Sequence, residues 1–295
     1  MTTIKTIALV GLGVVGGSFA HAIRQTYQDR YQVIGIDIDQ ATIKDALEQG
    51  LLDQGYSHAQ GIQEGLSQAD LVIISIYPSY LIDFMSQYGP YFKAGAIVTD
   101  TTGVKGDLSR RLLPVIPDKV DFIFGHPMAG REKKGLAYAD PSVFVGANYI
   151  MTPGPLNQMG HIQFLHDFIL DLGFKRVTLT EADHHDQMIA HTSQLSHILA
   201  VALINSDHFP DQTAAYVGDS YRDLTRIANM NAPLWADLFE ANDRYLLENI
   251  QAFQDQLQIL KEAIEAKDRP ALVERLEEAT RRRLGLESQD QRIKG

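Results

Sequence analysis

A glycine-rich run at residues 11–17 constrains the fold of this chain more than any other feature. It follows a short apolar segment and opens an amphipathic helical stretch. In such a strand–turn–helix unit, the glycines permit a tight turn, close approach of the backbone to a pyrophosphate, and close packing of the helix. The helix directs its positive N-terminal end toward the phosphates. The run therefore predicts a dinucleotide site, with cofactor contacts from Gly11, Gly13, Val14, Val15 and Gly16.

An aspartate lies where such a unit carries its ribose-binding carboxylate. Asp37 ends the second apolar segment, about 20 residues after Gly16. A carboxylate there accepts hydrogen bonds from the ribose hydroxyls and repels a 2′-phosphate. The sequence therefore predicts NAD as the cofactor, in preference to NADP, and Asp39 is the weaker candidate for this position. The alternative is a glycine turn in an α/β domain that binds no nucleotide.

Short apolar segments alternate with amphipathic helices through the first 180 residues. The predicted strands are residues 6–10, 32–37, 71–76, 96–100, 122–125, 148–151 and 176–179. Their nearly continuous apolar, β-branched character suits strands that are buried on both faces. Alternation with helices favours a parallel, doubly wound sheet. We therefore predict an α/β fold, with a Rossmann-type dinucleotide-binding domain at residues 1–180 and an all-helical domain at residues 181–295.

Composition excludes several classes of protein. A net charge of -11 repels nucleic acids and anionic membranes, so neither is expected as a partner. The absence of cysteine excludes disulfides, thiolate metal sites and a cysteine nucleophile. No uncharged apolar run approaches the ~20 residues of a membrane helix, and the N-terminus lacks a signal-peptide pattern. We expect a soluble cytoplasmic protein in which any anionic substrate needs a local basic pocket.

A heptad pattern lies near the C-terminus. Apolar residues there are spaced by alternating fours and threes, at Leu246, Ile250, Phe253, Leu257, Leu260 and Ile264. This seam is typical of helices that pack together along their length. It covers few heptads, so it predicts either a helix packed within its own domain or the contact surface of a homodimer.

Two polar groups are candidates for chemistry. His126 opens the run H-P-M-A-G at the end of the fifth predicted strand, where folds of this class bind ligands. On a later helix, Asp186, Ser193 and His197 fall within about 40° of each other at 100° per residue. Because a buried polar stripe needs partners, this one is either a structural hydrogen-bonded cluster or part of a ligand site.

Basic residues offer two further interpretations. Arg222 and Arg226 share a helical face and either bridge surface aspartates or form a basic pocket.

The histidines of the helical region could suggest a metal site. They are His184, His185, His191 and His197. They include no pair spaced by four residues, and no thiolate is available, so we predict no metal site.

Together, the runs at residues 11–17, 126–130, 185–197 and 221–228 resemble the prephenate/arogenate dehydrogenase family of tyrosine biosynthesis. The resemblance extends over residues 6–265, and the runs HPMAG and YRDLTRIA are specific to the family, whereas the glycine turn is not. It implies oxidative decarboxylation of prephenate with hydride transfer to NAD, or the same reaction on arogenate. It also implies that the helical domain binds substrate and forms a homodimer.

The resemblance implies roles for individual residues. His126 is the expected catalytic base, and His197 is the second catalytic candidate. Arg226 is expected to clamp a substrate carboxylate, for which its planar fork is well suited. Further substrate contacts are expected from Ser193, Glu132, Gln194, Arg222, Trp235 and Thr102, and a further cofactor contact from Thr101.

This chain departs from the family pattern at two places. Gly103 replaces a serine that the family often places near the nicotinamide, so Thr101 or Thr102 is expected to supply the hydroxyl. Gln194 stands where a histidine is common, which leaves the preference between prephenate and arogenate open.

Two other functions are compatible with a dinucleotide-binding domain followed by a helical domain. A β-hydroxyacid dehydrogenase usually depends on a lysine in its helical domain, and the equivalent segment here has His197 but no lysine. A non-catalytic NAD-binding protein has no need of His126, His197 and Arg226 together. The production of NADH from prephenate separates these three functions.

Overall fold

The structure, a computed structural model, describes residues 4–130 and 133–292. Within these residues, nine strands form two sheets. The strands are β1 (Thr6–Val10), β2 (Gln32–Ile36), β3 (Gln54–Tyr56), β4 (Leu71–Ile74), β5 (Ile97–Asp100), β6 (Asp121–Phe122), β7 (Phe124–Pro127), β8 (Asn148–Thr152) and β9 (Arg176–Leu179).

Thirteen α-helices lie within the described residues. They are α1 (Val14–Tyr27), α2 (Gln40–Glu48), α3 (Ala59–Gln68), α4 (Pro78–Tyr88), α5 (Gly106–Leu112), α6 (Met159–Asp171), α7 (Ala182–Ile189), α8 (Leu195–Asn205), α9 (Pro210–Thr213), α10 (Asp219–Thr225), α11 (Ala232–Glu240), α12 (Asp243–Glu265) and α13 (Arg269–Arg292).

The larger sheet has the strand order β3-β2-β1-β4-β5-β6, and all its pairs are parallel. The doubly wound, Rossmann-type prediction is therefore confirmed. The strand order reverses between β1 and β4, and folds of this type bind ligands in the crevice outside the carboxyl ends at that point. Alternate residues of β1 enter opposite cores, with Ile7 and Leu9 on one face and Ala8 and Val10 on the other.

The predicted single strand at residues 122–125 is divided between two strands, because the chain changes sheets within it. β6 ends the parallel sheet, and β7 begins a second sheet of order β7-β8-β9, in which β7 runs antiparallel to β8. The apolar run continues through the junction at Ile123, so its pattern does not mark the change. As a result, His126 lies inside a strand rather than in a loop after one. Strand β3 was also missed, since its sequence Q-G-Y carries no apolar alternation.

The described chain divides into two compact units, one ending at Asp243 and one beginning at Arg244. Helices α7 to α11 belong to the first unit together with both sheets, and the predicted boundary near residue 180 stays a prediction. In the second unit, the heptad residues Leu257 and Ile264 of α12 are 55% and 62% exposed in the single chain. Among the residues described, no helix is both long and apolar enough to cross a membrane.

Candidate active site

A cavity of about 510 Å³ lies beyond the carboxyl ends of β4, β5 and β7. Its walls are formed by the glycine turn, by the segments that follow these strands, and by helices α7, α8 and α11. The predicted site residues that line it are Gly13, Val14, Val15, Thr101, Thr102, His126, Ser193, Gln194, His197 and Trp235. The fold therefore brings residues of the two predicted domains to one cavity.

The glycine turn has the geometry of a phosphate cradle. Gly11 has φ +83°, and a Cβ atom on it would lie 2.5 Å from the carbonyl oxygen of Ser75. A Cβ atom on Gly16 would lie 1.9 Å from the carbonyl oxygen of Gly11, so the helix packs against the turn with no room for a side chain. Gly13, in contrast, faces open space on the cavity wall. Helix α1 begins at Val14 without an acidic residue in its first turn, so its positive end can attract an anion.

Asp37 directly follows β2 and helps to shape this turn. One oxygen of its carboxylate accepts a hydrogen bond from the backbone N–H of Leu12 at 2.7 Å. The other accepts from the N–H of Asp39 at 2.9 Å. Asp39 instead caps α2 by accepting from the N–H of Ala41. The geometry therefore favours Asp37 over Asp39 as the carboxylate beside a bound ribose.

Replacing Asp37 tests the predicted cofactor preference. We expect Asp37→Ser to narrow the preference of the enzyme for NAD over NADP by about ten-fold, because the repulsion of the 2′-phosphate is removed. The measurement is kcat/KM with each cofactor, and Asp39→Ser is the matched control that should leave the ratio unchanged. Equal efficiency with both cofactors in the wild-type enzyme would contradict the prediction.

His126 is the first member of a chain of three side chains. Its Nδ1 lies 2.9 Å from Nε2 of His185, and Nδ1 of His185 lies 2.7 Å from a carboxylate oxygen of Asp186. The two oxygens of Asp186 also accept the backbone N–H groups of Lys105 at 2.8 Å and Gly106 at 2.7 Å, at the start of α5. Asp186 is therefore held in place as an acceptor.

This chain of contacts determines which nitrogen of each ring carries the proton. Because Asp186 accepts, Nδ1 of His185 donates to it, and Nε2 of His185 presents a lone pair. Nδ1 of His126 then donates to that lone pair. Nε2 of His126 is left unprotonated, and it points toward Gly103, where a Cβ atom would lie 3.7 Å from it. The arrangement leaves a base on the cavity wall.

The electrostatic environment keeps His126 neutral. Burial lowers its pKa well below the usual value, and the neighbouring His185 and Lys105 lower it further. Burial also lowers the pKa of His185, although its hydrogen bond to Asp186 opposes the shift. A histidine that stays neutral at physiological pH is ready to accept a proton.

A buried polar cluster lies beside this base. The ammonium group of Lys105 donates to a carboxylate oxygen of Asp100 at 2.6 Å and to the carbonyl and hydroxyl oxygens of Thr102, each at 2.9 Å. Asp100 also accepts from the hydroxyl of Thr102 and from the backbone N–H of Gly125 at 3.1 Å. Lys105 and Asp100 are fully buried. The cluster ties the end of β5 to β7 and so positions the strand that carries His126.

The predicted polar stripe on the helix of residues 185–197 is corrected by the structure. Helices α7 and α8 are joined by a π-helical turn at Ala190–Gln194, in which each residue advances the helix by less than 100°. Asp186 therefore faces α5, whereas Ser193 and His197 line the cavity.

His197 and Trp235 form one wall of the cavity. Their rings stack with centroids 3.6 Å apart and an angle of 28° between planes. Nδ1 of His197 donates to the backbone oxygen of Ser193 at 2.9 Å. The stacking holds this imidazole in a defined orientation.

Both ends of the Gln194 side-chain amide form hydrogen bonds within the protein. Its amide nitrogen donates to the backbone oxygen of Leu238 at 2.8 Å, and its amide oxygen accepts from Asn242 at 2.8 Å. Asn242 also donates to the backbone oxygen of Asp186. Gln194 therefore ties the π-helical turn to the end of α11, and its predicted role in reading the substrate stays a prediction.

Among the other predicted residues, Arg222 and Arg226 do not line the cavity. Arg222 is exposed and pairs with Asp219 at 2.9 Å, as in the surface interpretation. Arg226 is exposed too, although its neighbour Ile227 lines the cavity. Glu132 lies outside the described residues. The hydroxyl of Thr102 is committed to the buried cluster, whereas that of Thr101 lies 3.5 Å from the backbone oxygen of Ile74.

Sequence reasoning missed the residues that support the base. It assigned His185 no role beyond its place in the family run and among the excluded metal ligands, and it assigned Lys105 and Asp100 no role. The aspartate that ends the apolar strand β5, with a lysine five positions later, could have suggested a buried pair, because charged residues are rarely buried without a partner. The partnership of His126 with His185 had no comparable signal.

Two family profiles and several known proteins match this chain. The profile described as "Prephenate dehydrogenase, nucleotide-binding domain" matches residues 19–178, and that described as "Prephenate dehydrogenase, dimerization domain" matches residues 181–278. The prephenate dehydrogenase of Lactococcus lactis subsp. cremoris is 28% identical over 96% of this chain and 78% of its own length. The cyclohexadienyl dehydrogenase of Zymomonas mobilis is 28% identical over 98% of both chains.

Solved structures give the same result. The prephenate dehydrogenase of Aquifex aeolicus, crystallised with hydroxyphenyl propionate and NAD+, matches with a TM-score of 0.86 and 27% identity, over 97% of this chain and 99% of that one. The arogenate dehydrogenase of Synechocystis matches with a TM-score of 0.80 and 26% identity, over 95% of this chain and 99% of that one. Two profiles that together span most of the sequence, and a shared fold, show that this chain belongs to the prephenate dehydrogenase family.

Proposed function

We propose that this chain oxidatively decarboxylates prephenate to 4-hydroxyphenylpyruvate, with NAD as the hydride acceptor, in the biosynthesis of tyrosine. The observation that carries the proposal is the unprotonated Nε2 of His126, which faces the cavity that the glycine turn also lines. The Aquifex aeolicus relative supports it, because hydroxyphenyl propionate is a phenol with a three-carbon acid side chain, like the proposed product.

The residues present fit an NAD molecule. Gly13 leaves open space at the N-terminus of α1 for a pyrophosphate, and the carboxylate of Asp37 lies where it can accept from a ribose. When bound, NAD accepts the hydride from the hydroxyl-bearing ring carbon.

His126 takes the proton of the substrate hydroxyl on Nε2. The resulting imidazolium still donates its Nδ1–H to Nε2 of His185, and the Nδ1–H of His185 still donates to the Asp186 carboxylate. The carboxylate stabilises the positive charge and holds both rings in orientation, as in other histidine–carboxylate pairs. The ring carboxylate of the substrate then leaves as carbon dioxide, and the electron pair of the broken bond passes through the ring to the new carbonyl oxygen. The phenolate that forms takes back the proton from His126, and aromatisation makes the step effectively irreversible.

The charge of the cavity suits a substrate with two carboxylates. The described residues that line it include Lys133 and Lys134 and no aspartate or glutamate. The protein as a whole carries a net charge of -11, which repels an anion at long range. The cavity is therefore a local basic pocket of the kind that an acidic chain needs for an anionic substrate.

A four-way assay tests the function. Purified protein is given prephenate or arogenate with NAD or NADP, and NADH or NADPH is followed by absorbance. We expect the highest kcat/KM with prephenate and NAD. Arogenate is the second candidate, since the Synechocystis relative is an arogenate dehydrogenase. No reduced cofactor with either substrate would contradict the proposal.

Arg226 is proposed to clamp a substrate carboxylate. Support comes from the family resemblance of its motif and from the position of the next residue, Ile227, on the cavity wall. We expect Arg226→Gln to raise the KM for substrate by about ten-fold or more, and to leave the affinity for NAD unchanged. The matched control is Arg111→Gln, because Arg111 pairs with Asp107 on the surface of α5. A normal substrate KM in Arg226→Gln would contradict the proposed clamp and favour a surface role for this arginine.

A homodimer is proposed from the heptad seam and from the dimerization-domain profile. Leu257 and Ile264 expose large apolar surfaces in the single chain, and such surfaces mark contact sites. We expect light scattering at micromolar concentration to report twice the monomer mass of 32.8 kDa. We expect Leu257→Glu combined with Ile264→Glu to shift the protein toward the monomer. A wild-type mass of 32.8 kDa would contradict the dimer at that concentration.

A further inference from the structure

Asn231 occupies an unusual position at the start of helix α11. It is the N-cap residue of that helix, a position where an asparagine side chain ordinarily accepts a hydrogen bond from a backbone N–H of the first turn. Here the side chain makes no such bond. Its amide nitrogen instead donates to the hydroxyl of Tyr77 at 2.8 Å, in the segment that follows β4. The amide is therefore directed away from its own helix.

The amide oxygen of Asn231 is the unexplained part of this arrangement. It is buried and has no hydrogen-bond partner among the described residues, as is also true of the hydroxyl of Ser75. Both residues line the cavity. A buried polar atom without a partner is costly, so an unpaired acceptor in a residue that lines the cavity points to a ligand that supplies the missing donor.

The position of Tyr77 favours the cofactor as the source of that donor. Ser75 and Tyr77 follow β4, the strand beside β1 on the far side of the reversal in strand order. In a doubly wound sheet the dinucleotide crosses this reversal, so its adenosine half lies over the side with β2 and Asp37. The nicotinamide half then lies over the side with β4 and β5, where His126 also lies.

The chemistry of the ligand groups narrows the choice further. The amide oxygen of Asn231 can only accept, so it needs an N–H or O–H group. Prephenate offers two carboxylates, which also only accept, and one hydroxyl, which must face His126 to lose its proton. The carboxamide of the nicotinamide ring offers an NH₂ group. We propose that Asn231, held by Tyr77, accepts a hydrogen bond from the nicotinamide carboxamide and so orients the ring of the cofactor.

This inference rests on NAD as the cofactor, and equilibrium binding without substrate tests it. The probes are NADH and reduced 3-acetylpyridine adenine dinucleotide, in which an acetyl group replaces the carboxamide, so that the pyridine ring no longer carries an N–H donor. Dissociation constants for both are measured by fluorescence titration or calorimetry, and the quantity of interest is their ratio. We expect Asn231→Ala to reduce the preference for NADH by about five-fold or more relative to wild type, as expected for one lost hydrogen bond.

Matched variants separate this role from a structural one. Asn231→Asp keeps an acceptor and should retain the wild-type ratio. Asn231→Leu has a similar size without an acceptor and should behave like Asn231→Ala. It provides the test if the smaller alanine side chain disrupts the local fold. Asn229→Ala makes the same change at an exposed position outside the cavity lining and should leave the ratio unchanged.

The outcomes are distinct. If Asn231→Ala and Asn231→Leu leave the ratio at its wild-type value, the carboxamide contact is overturned, even if both dinucleotides bind more weakly. If those variants raise the KM for prephenate and leave the ratio unchanged, Asn231 faces the substrate, which also overturns it. If wild-type protein binds neither dinucleotide, the proposed function fails together with the inference. If wild-type protein binds NADH, but substitution of Asn231 does not change the ratio of the two dissociation constants, the proposed function is retained and only the inference about Asn231 fails.

Discussion

His126→Asn is expected to lower kcat by about 10²–10⁴-fold, the usual contribution of a general base. Asparagine keeps a polar side chain of similar size, so we expect the KM for substrate to change little. His166→Asn is the matched control, because this histidine lies on α6 outside the cavity lining and pairs with Asp167. A His126→Asn enzyme within a few-fold of the wild-type kcat would mean that the base lies elsewhere, with His197 as the next candidate.

The pH profile provides a second readout of the same base. Only neutral His126 can accept the proton, so activity is lost as the pH falls through its pKa. Because burial, His185 and Lys105 all lower that pKa, the acid limb of kcat/KM is expected below the usual histidine value of about 6.5. A bound substrate carboxylate raises the pKa, so the limb in kcat is expected at higher pH. Both limbs should disappear in His126→Asn, and an intact limb would contradict the assignment.

Lys105→Met is expected to lower the free energy of unfolding by about 3–5 kcal/mol, because it leaves a buried carboxylate without its partner. Lys105 and Asp100 are both fully buried and 2.6 Å apart. Urea denaturation provides the measurement, and Lys119→Met, at an exposed lysine, should change the value by less than about 0.5 kcal/mol.

The double variant Lys105→Met/Asp100→Asn should recover part of this loss, because no unpaired charge remains. Lys105→Met should also move the acid limb of kcat/KM to higher pH, since a cation that lowers the pKa of His126 is gone. A loss of stability below about 1 kcal/mol would contradict the buried pair.

The sequence by itself determined the dinucleotide-binding unit. The strand Thr6–Val10 and the helix Val14–Tyr27 lie where the local pattern predicted them. Gly11 and Gly16 meet backbone atoms at distances that exclude a side chain, as their proposed roles require. These features were predictable because strand, turn and helix are adjacent in the chain, so the role of each residue depends mainly on its neighbours.

The helical region was less predictable from periodicity. A π-helical turn at Ala190–Gln194 separates Asp186 from Ser193 and His197, because a stripe calculated at 100° per residue fails where the turn widens. The change of sheets near Ile123 was missed for a related reason. An apolar run does not indicate which sheet will pair with it, since both sheets bury the same kinds of side chain.

Only the tertiary structure decided how His126 is prepared for chemistry. His185 is 59 positions away from His126 in sequence, and the backbone N–H of Lys105 donates to Asp186 across 81 positions. The protonated nitrogen of His126 follows from its contact with His185, and the direction of its pKa shift follows from burial and from the nearby His185 and Lys105. The local sequence around His126 does not reveal its protonated nitrogen or its pKa shift. Hydrogen bonding depends on which groups the fold brings within about 3 Å, and desolvation depends on the water that the fold excludes.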